Sequence, residues 1–167
     1  PWRITLVDTG ENTLTGGRLK RVAPYLKGED VFCFTYGDGL SDVNITESIN
    51  VHIQHKKIAT VTAVSPPGRY GALALDGNGK VIDFVEKPIG GSGYINGGFF
   101  VLSPEVFNYI KDDNSSWEGE SLSLLAKKEQ VIAYIHKGFW HALDTLRDKN
   151  FLEELWQSKK APWKIWI

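Results

Sequence analysis

Asp38 sits between two glycines in the stretch TYGDGLSDV, immediately after the apolar run DVFCF. Open α/β sheets bind ligands at the carboxyl ends of their strands, and a carboxylate there suits a metal or phosphate site. Gly37 and Gly39 remove side-chain bulk around it, so the backbone can turn and a ligand can come close. The same triplet also makes an ordinary turn, because Gly and Asp are common turn residues. A second carboxylate, Asp144 in HKGFWHALDTLRD, stands just ahead of a helical stretch and reads either as a second metal ligand or as that helix's cap.

Two segments have the composition to hold phosphate. The loop GENTLTGGRLKR sets Thr13, Thr15, two glycines and Arg18 before a helix, so hydroxyls, backbone N–H groups and a guanidinium meet at a helix amino terminus. It has neither Walker nor dinucleotide spacing, and a capped helix with a solvated basic face accounts for it equally well. FVEKP ends a strand with Glu86 and Lys87, an acid to accept sugar hydroxyls and a cation to clamp a phosphate, or a simple strand-end charge pair. INGGFFV carries a glycine pair inside a strongly β run, which weakens a strand unless a bulge or a close approach needs the space.

Other residue types carry less chemistry. His52, His55, His136 and His141 lack the cysteines or spaced carboxylates of a zinc set. The single cysteine, Cys33, lies between Phe32 and Phe34 and reads as buried and inert. Most of the six tryptophans read as packing.

The elements that must position these groups alternate. Residues 3–7 read as a strand, 18–26 as a helix, 30–34 as a strand, 45–57 as a helix with Ile45, Ile49 and Ile53 on one face, and 59–64 as a strand ended by Pro66-Pro67. Residues 70–86 read as a β-hairpin around Asn78-Gly79. A strand at 94–102 follows, then a helix at 104–110 with Ser103 as cap, a short helix at 121–128, a strand at 131–136 and a helix at 146–158. The pattern predicts an α/β fold with a mostly parallel nucleotide-binding sheet, helices on both faces and a β-hairpin insertion.

The 167 residues, 42% hydrophobic, suffice for one core, so residues 1–167 read as a single domain. With 19 basic and 20 acidic residues the net charge is -1, which provides no field for nucleic acid or an anionic membrane. No apolar stretch approaches the roughly 20 residues of a membrane span, and a cytoplasmic location is expected. There is no methionine, and the chain opens on Pro1-Trp2 directly into a strand pattern, so it reads as amino-terminally truncated.

Taken together and in order, DTGENTLTGGRLKR, TYGDGLSDVNI, TAVSPPGRYGAL, FVEKP, INGGFFVL and GFWHALDTLRDKNFLEELW resemble the glucose-1-phosphate cytidylyltransferases of the sugar-nucleotidyltransferase superfamily, over essentially the whole chain. The resemblance implies transfer of a cytidylyl group from CTP to α-D-glucose 1-phosphate with magnesium as cofactor. It implies that Thr13, Arg18 and Gly37 contact the nucleotide and that Asp38 and Asp144 are the magnesium ligands. Glu86, Lys87 and Asn96 would bind the sugar phosphate, with Lys87 and Asp38 as the catalytic pair.

The departures are specific. The family's glycine-rich GGxGTRL loop and KPM lysine do not occur in the 167 residues, so the missing portion is expected ahead of Pro1 and this chain alone is expected to be inactive. Leu143 precedes Asp144 where the family has Met, and Ser121 stands where it tends to have proline. A non-catalytic sugar-phosphate-binding or oligomerising remnant is the alternative, and a magnesium-dependent phosphatase using Asp38 a weaker one. Loss of a first βα unit leaves a strand edge open, so a homo-oligomer is expected.

Overall fold

The alternating periods of the sequence become alternating strands and helices in the computed structural model, which describes residues 2–66, 72–75, 80–85 and 93–166. In chain order the elements begin with α1 (Thr15–Arg21) and a 3-10 turn (Ala23–Leu26), followed by β1 (Phe32–Thr35), β2 (Gly39–Ser41), α2 (Ile45–His55) and β3 (Ala59–Val64). The hairpin strands β4 (Ala72–Leu75) and β5 (Val81–Val85) precede β6 (Ile95–Leu102) and a 3-10 turn (Pro104–Tyr109). A π-turn (Trp117–Leu122) then runs into α3 (Ser123–Lys127), β7 (Val131–His136), β8 (Trp140–Ala142) and α4 (Leu146–Gln157). α1 stops short because Pro24 has no N–H to continue the helical ladder.

Four strands form one sheet in the order β1-β6-β3-β7. β1 runs antiparallel to β6, from Phe32 opposite Leu102 to Thr35 opposite Phe99. Ser103 N–H donates to Ile58 O at 3.0 Å, so β6 ends where β3 begins, and Ala59 N–H donates to Gln130 O at 3.1 Å, so β3 and β7 start side by side. Thus β1, β3 and β7 share one direction and β6 opposes them. β2 pairs with β8 and β4 with β5 in separate ladders, the latter with an irregularity between Ala74 and Leu75.

The chain segregates into two compact units. The first comprises Pro1–Thr35, Thr46–Val61 and Phe99–Ala133. Its core is aromatic at the centre. Trp117, fully buried, meets Phe100 and Phe34 edge-on at 5.5 and 6.0 Å, while Phe32 stacks on Phe107 at 5.6 Å. Each such pair adds about 0.5–1.5 kcal/mol beyond the area it removes from water. His52, 2% exposed, spans α2, β3 and the end of β6 through Thr60 Oγ1 and Ser103 Oγ, both at 2.9 Å. The second unit comprises Tyr36–Ile45, Thr62–Gly98 and Tyr134–Ile167, and Val43, Ala63, Val64 and Leu152 are buried in it.

Several expectations are corrected. Residues 3–7 form no strand among the described residues, and Trp2, Ile4 and Leu6 are 95%, 76% and 93% exposed, because no described strand pairs with them. Cys33 is exposed rather than buried: alternation along β1 turns Phe32 inward and Cys33 and Thr35 outward. Partial burial still pushes its thiol up from 9.0, which keeps it protonated and poorly reactive. Ser103 gives no side-chain cap, since its hydroxyl is engaged by His52 and the segment after it is a 3-10 turn. The helix expected from 121 opens earlier, at Trp117, where Ser116 Oγ accepts from Gly119 N–H at 3.1 Å.

Candidate metal and substrate site

The short ladder β2–β8 in the second unit brings the two candidate carboxylates together in the fold. Its register sets Gly39 opposite Ala142 and Ser41 opposite Trp140. The pairing extends one step further, because Leu143 N–H donates to Asp38 O at 2.8 Å. Asp144 follows directly, so Asp38 and Asp144 flank the same end of the ladder and both are exposed. Asp144 is not the cap of α4. Thr145 holds that place, accepting from Asp148 N–H at 3.2 Å while Asp148 Oδ2 accepts from Thr145 N–H at 2.9 Å, a reciprocal capping box. The hydroxyl of Thr145, donating at 2.7 Å, is the main reason the Asp148 carboxyl lies below its ordinary value.

Gly37 does not use a left-handed backbone, and a Cβ built on it meets nothing within 4 Å. Open space beside Asp38, rather than a special turn, is therefore what this glycine provides.

The glycine pair of β6 receives two aromatic side chains. A Cβ on Gly97 would come to 2.9 Å from Val64 Cγ1, 3.0 Å from Thr62 O and 3.5 Å from Trp140 Nε1, and that indole nitrogen donates to Gly97 O at 2.8 Å. Gly98 has φ +78° and would press a Cβ to 2.9 Å from the Tyr36 ring, while Tyr36 N–H donates to Gly98 O at 3.2 Å. Asn96 Oδ1 accepts from Gly98 N–H at 2.8 Å, and its Nδ2 donates to Tyr36 OH at 3.4 Å. Asn96 is thus part of the device that shapes this bend. Tyr36 and Trp140 were not among the sequence candidates; the signal pointing to them was the glycine pair itself.

The other end of the ladder is closed by Ser41, Asp42 and His136. Ser41 Oγ donates to Phe139 O at 2.8 Å, and His136 Nε2 lies 3.2 Å from Ser41 Oγ, 3.2 Å from Phe139 O and 2.9 Å from Asp42 Oδ1. Phe139 O can only accept, so Nε2 donates to it when it carries the ring hydrogen, and Asp42 Oδ1, though close, has no hydrogen-bond partner. The group is not a nucleophilic triad, because serine and aspartate approach the same ring nitrogen and the serine hydroxyl already donates to Phe139 O.

Thr13 and Arg18 lie in the first unit. Thr13 is buried, and Arg18 folds back on its own loop, donating from Nη1 to Thr9 Oγ1 at 2.7 Å and from Nη2 to Glu11 O at 3.0 Å. The backbone N–H groups expected to be free there are occupied: Leu14 donates to Asp113 O at 2.8 Å, and Gly16 and Gly17 to Ser115 O at 3.0 and 3.3 Å. Glu86 and Lys87 lie outside the described residues. A cavity of about 570 Å³ in the second unit is lined by Tyr94, His136, Phe139, Trp140, His141 and Phe151 among others, and a cleft of about 460 Å³ in the first by Pro24, Leu26 and Phe107. Neither is lined by Asp38 or Asp144.

Among the described residues no set of three or more His, Cys, Asp or Glu side chains could enclose a metal ion. Magnesium seldom uses such a cage and is commonly held by one or two carboxylates, waters and substrate phosphates. Two exposed aspartates at one ladder end, with open space at Gly37, fit that demand. No helix among the described residues is long and apolar enough to cross a membrane.

Comparison with known proteins places this geometry in context. The model of the nucleotidyl transferase family matches residues 7–152. A glucose-1-phosphate cytidylyltransferase from Salmonella typhi is 54% identical over 166 residues, covering 99% of this chain and 64% of its own length. The catalytic subunit beta of a mannose-1-phosphate guanylyltransferase from Xenopus tropicalis is 32% identical over 90% of this chain and 42% of its own length. In three dimensions the chain is similar to HddC from Yersinia pseudotuberculosis, with TM-score 0.63 and 24% identity over 87% of this chain and 64% of that one. It is also similar to a UDP-glucose pyrophosphorylase complexed with UDP-glucose, with TM-score 0.63 and 16% identity over 92% and 65%. The chain thus spans 64% of the length of the Salmonella relative.

Proposed function

The chain belongs to the nucleotidyl transferase family, and we propose that it carries the magnesium and sugar-phosphate side of a reaction joining the cytidylyl group of CTP to α-D-glucose 1-phosphate, with CDP-glucose and pyrophosphate as products. The observation that carries this reading is the 54% identity to a glucose-1-phosphate cytidylyltransferase along 99% of the chain. The pairing of Asp38 with Leu143 beside Asp144 supports it independently.

The reaction asks for positioning rather than a protein nucleophile. An oxygen of the glucose phosphate forms a bond to the α-phosphorus of CTP as the bond to the departing pyrophosphate breaks in line with it. Magnesium, when bound, would supply charge neutralisation between the two phosphate groups. Asp38 and Asp144 would hold the ion from one ladder end, where Gly37 leaves room for a phosphate. Lys87 clamps the attacking phosphate and Glu86 accepts sugar hydroxyl hydrogens, with Asn96 in the strand facing the sugar. Thr13 and Arg18 serve the nucleotide, which requires Arg18 to leave Thr9 and Glu11.

The chain forms one part of a single nucleotidyltransferase domain, since the family match runs through residues of both compact units. It acts in the cytosol, and as 167 residues alone it self-associates, a reading favoured by the exposure of Trp2, Ile4 and Leu6. A monodisperse monomer by light scattering contradicts that association. The substrate assignment is tested by calorimetry with α-D-glucose 1-phosphate in magnesium chloride. Saturable heat that Lys87→Ala removes supports it, and absence of heat from the parent chain refutes it.

A further inference from the structure

We propose that Tyr36 and Trp140 are positioning residues that set the placement of Asp38 relative to Asp144, with the glycine pair Gly97-Gly98 as the seat both occupy. This inference rests on the metal reading above and deepens it. Tyr36 precedes Asp38 by two residues, and Trp140 lies on the strand that leads to Asp144. The two arms of the β2–β8 ladder are therefore attached to successive residues of one strand: Trp140 by its 2.8 Å bond to Gly97 O, Tyr36 by its N–H on Gly98 O and its ring over Gly98.

The attachment is specific to these residue types. Any side chain at Gly97 would meet Thr62 O and Val64, and any at Gly98 would meet the Tyr36 ring in a backbone conformation that costs non-glycine residues about 1–2 kcal/mol. Asn96 Oδ1 holds the Gly98 N–H, so the left-handed bend is bonded as well as permitted. An indole is needed at position 140 because its N–H reaches a carbonyl that no phenyl ring can satisfy. Trp140 pairs with Ser41 at the end that Ser41 and His136 also hold, and Tyr36 leads into Asp38 at the other, so the seat acts on both ends of this three-residue ladder.

Outer residues that orient metal ligands commonly change metal affinity 10–100-fold when removed. The test is a manganese chloride titration of the ¹⁵N-labelled chain, read as paramagnetic broadening of the Asp38 and Asp144 amide signals. Trp140→Phe and Tyr36→Leu are expected to need on the order of tenfold more manganese for half-broadening, while circular dichroism and the amide signals of the first unit stay as in the parent. Tyr36→Phe, which keeps the ring over Gly98, is expected to stay close to the parent. If both Trp140→Phe and Tyr36→Leu titrate like the parent while Asp38→Asn abolishes broadening, the positioning role is overturned and the metal reading stands. Absence of broadening in the parent overturns both.

Discussion

The indole nitrogen of Trp140 donates to the carbonyl oxygen of Gly97 at 2.8 Å, across a strand position where no Cβ can be accommodated. Strand β6 gives up the β propensity of a side chain at Gly97, and in exchange the aromatic ring that begins β8 is locked against it.

Replacing Gly97 by alanine therefore strains the strand whatever Trp140 does. The new methyl sits 3.0 Å from Thr62 O and 2.9 Å from Val64 Cγ1, and the backbone oxygen cannot recede without shifting its own strand. Overpacking of this kind costs about 1–3 kcal/mol. The urea midpoint of Gly97→Ala, followed by circular dichroism at constant slope, is expected to fall accordingly; an unchanged midpoint contradicts the packing described.

His52 makes stability depend on pH. Burial is the main cause that lowers its imidazole below the ordinary 6.5, against a smaller opposing pull from Glu105. In the unfolded chain the ring takes up a proton as pH falls through about 6.5, while the folded ring stays neutral, so the unfolded state binds more protons there. Stability is then lost as pH falls from 6.5 toward the lower folded value, by at most about 1.4 kcal/mol per pH unit. His52→Gln is expected to flatten the slope of urea midpoint against pH between 7 and 5, and an equal slope in both chains counts against it.

Helix α4 depends on its reciprocal cap. Thr145→Ala removes the acceptor for Asp148 N–H and is expected to lower stability by about 1 kcal/mol. The Asp148 carboxyl, held below its ordinary value first by the Thr145 hydroxyl, stabilises the fold above about pH 4 and loses that effect as pH falls through its folded value. Thr145→Ala thus also weakens the acid limb of the stability profile. An acid limb identical to the parent's shows that the cap is not what Asp148 serves.

Cys33 offers a check on the edge strand. Exposed on β1 but with its thiol pushed up from 9.0, it is expected to react fully with a disulfide reagent in the folded chain, slowly at pH 7 and faster as pH rises. A thiol that reacts only in denaturant contradicts the outward placement.

The long periodic elements were legible in the sequence. Residues 59–64 and 131–136 form the strands their β-branched runs indicate, and α2 and α4 follow their helical spacing. The β2–β8 ladder was not, because strands of three residues carry no period and are stabilised only by pairing across about a hundred positions. Composition also could not say which groups would take the N–H donors of Leu14, Gly16 and Gly17; the carbonyls of Asp113 and Ser115, distant in sequence, do so. For the site, Asp38 and Asp144 were legible as residue types, and INGGFFV was legible as a strand that needed space. That the space belongs to Tyr36 and Trp140 is a property of the folded chain alone.

The central claim, that Asp38 and Asp144 form one metal site, is tested most directly by titrating the chain and its Asp38→Asn and Asp144→Asn variants with manganese chloride while recording amide spectra. Broadening centred on the Asp38–Leu143 end of the β2–β8 ladder, lost in both variants and competed by magnesium, is the predicted result. Broadening centred elsewhere, or unchanged by either substitution, contradicts it.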